Sequence, residues 1–525
     1  MSETTDVLDG RWRSVCKTLL GRDVGPMREY EAWLAERIEP HSTHKSSLSG
    51  KEIVSSPTAY EHGMKWIGYD EIDFAKKPAA LDINQIKDID SVLQAIGGTL
   101  CYSGNLFFGK CSHIEKSSNL NDSHYIYEVC RFGNSKYVAY STMGRISEDC
   151  FGCNVAGECA ACLKSGVYRN KRCLECWMCT NCSECYFSHG LEHCDNCIFC
   201  FNLKSRRNHI GNLELEVGKY REIKGRLLAQ MADKLQKDKR LPSLLEILKL
   251  ESKPVPKISV AARKKPLPED KSKIEEAFSA TTKILFGRAL GGGVDAYGEW
   301  LAQSTHKTSK CISAASGREL TLPAHANFPL LPKNRLLSDD EAHEFEEKNG
   351  ISREEAEELG LENAHKIISK LAFFNVEEDT GTNSNIIEST YLFDSTSVYR
   401  SSVAVYSKCI AYSFWPRSCE FLFGCDSPFD SSHDIHCYSC TNLTRCFELD
   451  CCGYCSDCYF CHNCENLTEC MFCFNTKNLK YAIGNVEVGR EKYMEVKKMV
   501  LAEIVAKLEK DKKLDLDIYN VGAKR

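Results

Sequence analysis

Residues 451–464 read CCGYCSDCYFCHNC, and Cys452, Cys455, Cys458, Cys461 and Cys464 follow one another at intervals of three. The same beat runs through Cys173, Cys176, Cys179, Cys182 and Cys185, and returns at Cys194, Cys197 and Cys200. Cys437, Cys440, Cys446, Cys470 and Cys473 extend the later run. Thiolates at tetrahedral distance are zinc chemistry, so these eighteen cysteines are the candidate metal ligands, with zinc or another soft metal as the cofactor they would take. The spacing differs from separated zinc knuckles. It also differs from a ferredoxin run, which needs three residues before its fourth cysteine and a proline after it. Stacked cysteines could bridge as disulfides. The third reading is structural: free cysteine behaves as a small buried hydrophobe. Serine and leucine share the cysteine positions, which packing tolerates and a ligand site does not, so no cofactor is required.

Such a beat needs an element that turns inward every third residue. Sorted by steps of twelve, one column of the later run reads Ser395, Ser407, Cys419, Ser431, Leu443, Cys455, Leu467 and Leu479. The next reads Val398, Ile410, Leu422, Asp434, Cys446, Cys458, Cys470 and Ala482. A third reads Ser401, Ser413, Cys425, Cys437, Leu449, Cys461 and Cys473, and a weaker fourth reads Ala404, Pro416, Pro428, Cys440, Cys452, Cys464 and Thr476. This is neither the helical period nor the alternation of a flat strand. It predicts a β-solenoid of twelve-residue coils, with about seven rungs some 4.8 Å apart over 395–482. In the earlier run Cys150, Cys153, Cys159 and Cys162 sit in a shifted frame, which predicts an interrupting loop near 165–172. Cys451 alone falls off the beat.

The chain is duplicated. Gly21-Arg22 recurs as Gly287-Arg288, Tyr140-Ser141 as Tyr406-Ser407, CIFCFN at 197–202 as CMFCFN at 470–475, and Ile210-Gly211-Asn212 as Ile483-Gly484-Asn485. About 230 residues therefore occur twice, a domain-sized length. The expected partition is an N-terminal α+β part at 1–100, a Cys-rich solenoid at 101–212, a capping helix at 213–240, and a Pro/Lys linker at 241–272. A second N-terminal part follows at 273–388, a second solenoid at 389–485, and a second capping helix with tail at 486–525. The helices are expected over 217–240 and 488–513. Their apolar stripes are Leu227, Leu228, Met231 and Leu235, and Met499, Val500, Ile504 and Leu508.

Composition bounds the function. The net charge of −6 leaves no strong nucleic-acid or membrane footprint, and no run is long and apolar enough for a transmembrane helix. The first residues, MSETTDVLDGRWRSV, lack the basic start and apolar core of a secretory signal, so the expected compartment is the cytoplasm with reduced thiols.

CDNCIFCFNLKSRRNHIGN at 194–212 with VGKYREI, and CMFCFNTKNLKYAIGN at 470–485 with REKYMEV, form a repeated C-terminal signature. It resembles that of uncharacterised Cys-rich proteins of candidate-phyla bacteria and some archaea, whose cysteine run ends in CFGC, NLRNK, a tyrosine, an isoleucine and an asparagine before a KEEY-type helix. Residues 123–141 and 389–407 are similar to that family's entry into the run. The family carries no established activity. The resemblance implies an N-terminal zinc-ribbon-like CxxCGKEI where this chain has Ser46-Ser47-Leu48-Ser49-Gly50-Lys51-Glu52-Ile53 and Ser313-Ala314-Ala315-Ser316-Gly317-Arg318-Glu319. Serines thus replace that cysteine pair, and the implied metal site is lost while its turn survives.

Other chemistry is thin. Gly291, Gly292 and Gly293 are followed by no GK[ST], so a helix break is the reading. His189 and His193 flank the first run as further zinc candidates, and Lys204, Arg206 and Arg207 form a small basic patch. No Ser-His-Asp order, HExxH or carboxylate pair stands out, so no enzyme is expected. The expected function is a structural or interaction protein with a protein partner or self-association. Soft-metal storage is the first alternative and nucleic-acid or ribosome association the second, with no membrane.

Overall fold

The computed structural model describes residues 2–523 apart from 57–58, 77–80, 82–85, 99, 253–254, 257, 259–269 and 326, so much of the Pro/Lys linker lies outside the described residues. The chain mixes helices and strands and divides into two compact units. Unit 1 comprises 1–41, 106–264 and 310–377, and unit 2 comprises 42–105, 265–309 and 378–525. Each unit therefore draws on both sequence copies.

The backbone explains the beat. Tyr454, Asp457, Phe460, Asn463 and Asn466 all have φ between 49° and 61°, and each precedes a residue of the inward set. A triplet is thus an inward residue, an extended residue and a left-handed one. Left-handed backbone costs a non-glycine residue about 1 kcal/mol, and hydrogen bonding between repeats offsets it. The extended Gly453 donates its N–H forward to Cys464 O at 3.0 Å, and the left-handed Tyr454 donates back to Thr441 O at 3.1 Å. Ser456 and Asp457 do the same with Leu467 and Thr444. Four triplets bring the chain back over itself, so pairing is parallel at an offset of twelve.

In unit 1 this register runs from Ser112↔His124 to Cys197↔His209, and in unit 2 from Ser384↔Thr396 to Thr468↔Lys480. The inward columns form one buried cluster in each unit. The shifted frame of Cys150 to Cys162 is not an inserted loop. Leu163 pairs with Leu174, and Cys176 N–H reaches Ser165 Oγ at 3.1 Å, so one repeat is eleven residues long. A register shift between Gly166 and Val167 absorbs the missing residue, and Cys150 and Cys162 pair directly in the same ladder. The deletion is taken up within the strand Gly166–Tyr168, which leaves the inward columns continuous.

The repeated Ile-Gly-Asn closes each ladder. Arg207–Ile210 turns back antiparallel onto Leu213–Glu214, and Lys480–Ile483 onto Val486–Glu487. The amide of Asn212 accepts Phe201 N–H and donates to Phe201 O at 2.9 and 3.1 Å. Asn485 does the same for Phe474 at 2.9 and 2.7 Å. A side chain thus stands in for the next strand and saturates the edge.

In unit 1, α1 (Glu3–Leu20) packs along the ladder and against α2 (Val217–Asp238). In unit 2, α3 (Ser272–Phe286) and α4 (Arg490–Asp511) repeat the arrangement. The buried stripes lie slightly N-terminal to the expected ones. Tyr220, Ile223, Leu227, Met231 and Leu235 are buried in α2 while Leu228 is half-buried, and Tyr493, Val496, Val500, Ile504 and Leu508 are buried in α4 while Met499 is half-buried.

Candidate functional site

The eighteen candidate ligands lie where the inward columns run. Cys173, Cys176, Cys179, Cys182, Cys185, Cys194, Cys197 and Cys200 are buried in unit 1. Cys437, Cys440, Cys446, Cys452, Cys455, Cys458, Cys461, Cys464, Cys470 and Cys473 are buried in unit 2. All the cysteines are free thiols. Each inward thiol donates to a backbone carbonyl two residues back, and most also reach one nine residues ahead. Cys452 Sγ, for example, reaches Asp450 O and Cys461 O, both at 3.3 Å. Some sulfurs also accept. Cys440, Cys425 and Cys182 each meet the N–H of the residue twelve ahead, at 3.3, 3.4 and 3.5 Å. This N–H belongs to the inward residue, which the backbone ladder leaves without a carbonyl.

Other residue types in the columns do the same work. Ser141, Ser188, Ser395 and Ser407 accept the N–H twelve residues ahead at 3.0 to 3.2 Å. So do Asn170 at 2.6 Å, Asn383 at 2.7 Å and Asp434 at 2.8 Å. The position therefore asks for a small acceptor that fits a narrow interior. Among the described residues, no group of three or more His, Cys, Asp or Glu side chains is arranged to hold a metal ion. Burial pushes the thiols of Cys176, Cys437, Cys452, Cys458 and Cys473 well up, whereas hydrogen bonds from neighbouring thiols pull Cys185, Cys194, Cys455 and Cys470 down. Cys451, the residue off the beat, is left-handed and buried, with its thiol 3.3 Å from Asp450 Oδ1.

A second constellation, absent from the sequence candidates, lies on the outer side of the ladder in unit 2. The twelve-residue offset sets His436 beside Glu448 and Asp450 beside His462, all four fully enclosed. His436 Nδ1 lies 2.6 Å from Glu448 Oε1, and Ile518 N–H donates to Glu448 Oε2 at 2.8 Å. The imidazole of His436 packs against Trp300 at 4.6 Å, and its Nε2 is buried without a partner. His462 Nε2 accepts Ser103 N–H at 3.0 Å, so its proton sits on Nδ1, pointing at Asp450 Oδ2 2.9 Å away. Asp450 thus meets a neutral imidazole, the Tyr60 hydroxyl and the Cys451 thiol. Asp517, in the tail beside Glu448, is pushed up to about 7 by burial first and by the glutamate second.

Unit 1 carries different chemistry at the matching ladder positions. Lys164 and Glu175 stand where unit 2 has His436 and Glu448, and Trp177 and His189 where it has Asp450 and His462. Lys164 is fully enclosed, donates to Trp33 O and lies 3.7 Å from Glu36; burial pulls its ammonium down to about 8. Glu175 takes Arg37 at 2.8 Å and Leu244 N–H at 3.0 Å, and the Arg37 guanidinium lies 4.9 Å over the Trp177 ring. His189 Nε2 donates to Asn375 O at 3.0 Å, the opposite tautomer to His462, and burial lowers it to about 4. His189 is therefore a neutral core imidazole, while His193 is left-handed and exposed beside Glu192.

The remaining candidates resolve into local structure. Lys204 pairs with Glu192 and Arg206 with Glu346, which neutralises two members of the basic patch. Gly292 and Gly293 have φ of 101° and 77° in the turn after α3, where Glu275 takes Val294 N–H at 2.8 Å. Ser46 Oγ accepts the N–H groups of Leu48 and Ser49 at 3.1 and 3.3 Å and donates to Glu71 at 2.7 Å. Ser313 repeats this with Ala315, Ser316 and Glu341 at 3.0, 3.2 and 2.6 Å. Each hairpin turn is thus held by a serine hydroxyl and a glutamate.

An open groove of about 550 Å³ in unit 2 lies between the end of α3 and α4, lined by Phe286, Arg288, Met494, Lys497, Leu501 and Val505. It contains neither thiols nor the His–carboxylate pairs. No described helix is long and apolar enough to cross a membrane. No family model, curated protein or solved structure matches this chain.

Proposed function

We propose that each ladder is a short-coil β-solenoid with a Cys/Ser/Leu core, and that the chain is a non-enzymatic scaffold acting through its faces on protein partners. The observation that carries this reading is the interchange of Cys, Ser, Asn and Asp in one hydrogen-bonding role, with each accepting the inward N–H twelve residues on. A metal ligand set would not tolerate serine at alternate rungs. The outer His and carboxylate groups of unit 2 are enclosed by protein, so they hold its covering segments in place and do not present a general base to solvent. Free, buried thiols fit a reducing compartment.

The test is thiol titration with and without denaturant on protein purified under reducing conditions, beside elemental analysis. We expect most thiols to react only after unfolding and no stoichiometric zinc. Bound zinc, copper or iron released together with thiol reactivity overturns this reading in favour of soft-metal storage. RNA that co-purifies at low salt and leaves at high salt would instead favour nucleic-acid association.

A further inference from the structure

We infer that the two copies are the covalently fused partners of a segment exchange, and that each ladder carries a docking face for the segment of a second copy. Residues 42–105, from copy one, belong to the unit built on the ladder of copy two. Residues 310–377, from copy two, belong to the unit built on the ladder of copy one. The exchange is reciprocal, and four anchors repeat it in both units.

The first anchor is an asparagine on the ladder that donates to the segment backbone: Asn202 to Phe373 O at 2.9 Å, and Asn475 to Cys101 O at 2.6 Å. The second is the ladder histidine two segment residues further on: His189 to Asn375 O at 3.0 Å, and His462 to Ser103 N at 3.0 Å. The third lies on the long helix. Gln230 takes Leu361 N–H and Glu503 takes Ile89 N–H, both at 3.0 Å. The fourth is the closing glycine. A Cβ on Gly211 would fall 3.0 Å from Ile368, and one on Gly484 would collide with Ile96. Both glycines are also left-handed, at φ 54° and 55°.

Equivalent anchors at equivalent positions mean that neither ladder is shaped for its own segment alone. The face accepts the segment of a partner copy, and the partner it fits is a second copy of this module. Fusion of the two copies in one chain raises the effective concentration of the exchange partner and makes the pairing intramolecular. The arrangement is that of a swapped dimer written as one chain.

The experiment uses the full chain with a protease site inserted at 259–269. After cleavage we expect the two fragments to co-elute at the size of the intact protein. Carbodiimide should then join them through Lys219 and Glu357, an ion pair at 3.2 Å between the two copies within unit 1. That linkage, identified by mass spectrometry, should fall to background in the exposed variant Glu357→Gln, which leaves the fragments associated. Fragments that separate in native buffer overturn the inference. So does co-elution without the Lys219–Glu357 linkage, because association would then arise elsewhere.

Discussion

Unit 1 and unit 2 share one ladder and one set of anchors but differ in what lies under the covering segments. Unit 2 buries two carboxylates, Asp450 and Glu448, with two imidazoles, a phenol and a thiol around them. Unit 1 fills the same places with an indole and a Lys–Arg–Glu cluster. The inward columns constrain a residue by size and by one acceptor atom. The outer positions constrain it only by whatever segment lies on top. Duplicated halves have therefore kept the interior alike and let the cover diverge.

The largest effect that would sharpen this contrast is His462→Leu. It leaves two buried groups, Asp450 Oδ2 and Ser103 N–H, without their imidazole partner and should cost unit 2 about 3–5 kcal/mol in all. His189→Leu, at the matching place in unit 1, loses a single bond to a carbonyl and should cost about 1 kcal/mol. Calorimetry that gives equal losses would break the comparison.

The second effect is on pH. Asp517 has its folded value raised to about 7, so its contribution is fully present below its unfolded value near 4 and is lost as pH rises through 7. Lys164 has its folded value lowered to about 8, so the unfolded chain binds the extra proton between pH 8 and 10.5, and stability rises with pH across that window. At full extent the first is worth about 4 kcal/mol and the second about 3 kcal/mol. Urea midpoints against pH should lose the neutral-range fall in Asp517→Asn and the alkaline rise in Lys164→Met. Unchanged slopes would show that other groups set them.

A smaller gain is expected from Asp434→Asn. The carboxyl lies wholly inside the thiol column, burial raises it well above the usual carboxylate range, and its Oδ2 has no partner. Asparagine keeps the bond to Cys446 N–H without the charge, as Asn170 and Asn383 do elsewhere. Unit 2 should gain about 1–3 kcal/mol at pH 7, read from the urea midpoint. The smallest effect is Cys440→Ser, which preserves the acceptor for Cys452 N–H and should change stability by under about 1 kcal/mol. A large loss there would count against a purely structural role for the thiols.

Much of the interior was legible because it is local. The twelve-residue spacing in the sequence is the pairing offset of the strands, and every inward column from Ser395 to Cys473 could be sorted without knowing a contact. The helices were legible from their stripes, although Tyr220 and Tyr493 were missed because a tyrosine four residues into a helix reads as amphipathic surface. The eleven-residue repeat at Leu163↔Leu174 reads as a loop in the sequence, since a deletion and an insertion shift a frame alike. The His436–Glu448 and Asp450–His462 pairs carried the offset of twelve in plain view. Their meaning depends on Ser103, Tyr60 and Ile518, which come from distant parts of the chain.

By itself, the sequence determined the duplication, the inward columns and the residue types they accept, because each repeat constrains its neighbour through the same few atoms. Only the tertiary structure decided which segment covers which ladder. Asn202 and Asn475, His189 and His462, and Gly211 and Gly484 offer the same anchors in both copies. The choice between them is made by long-range packing, to which periodicity is blind.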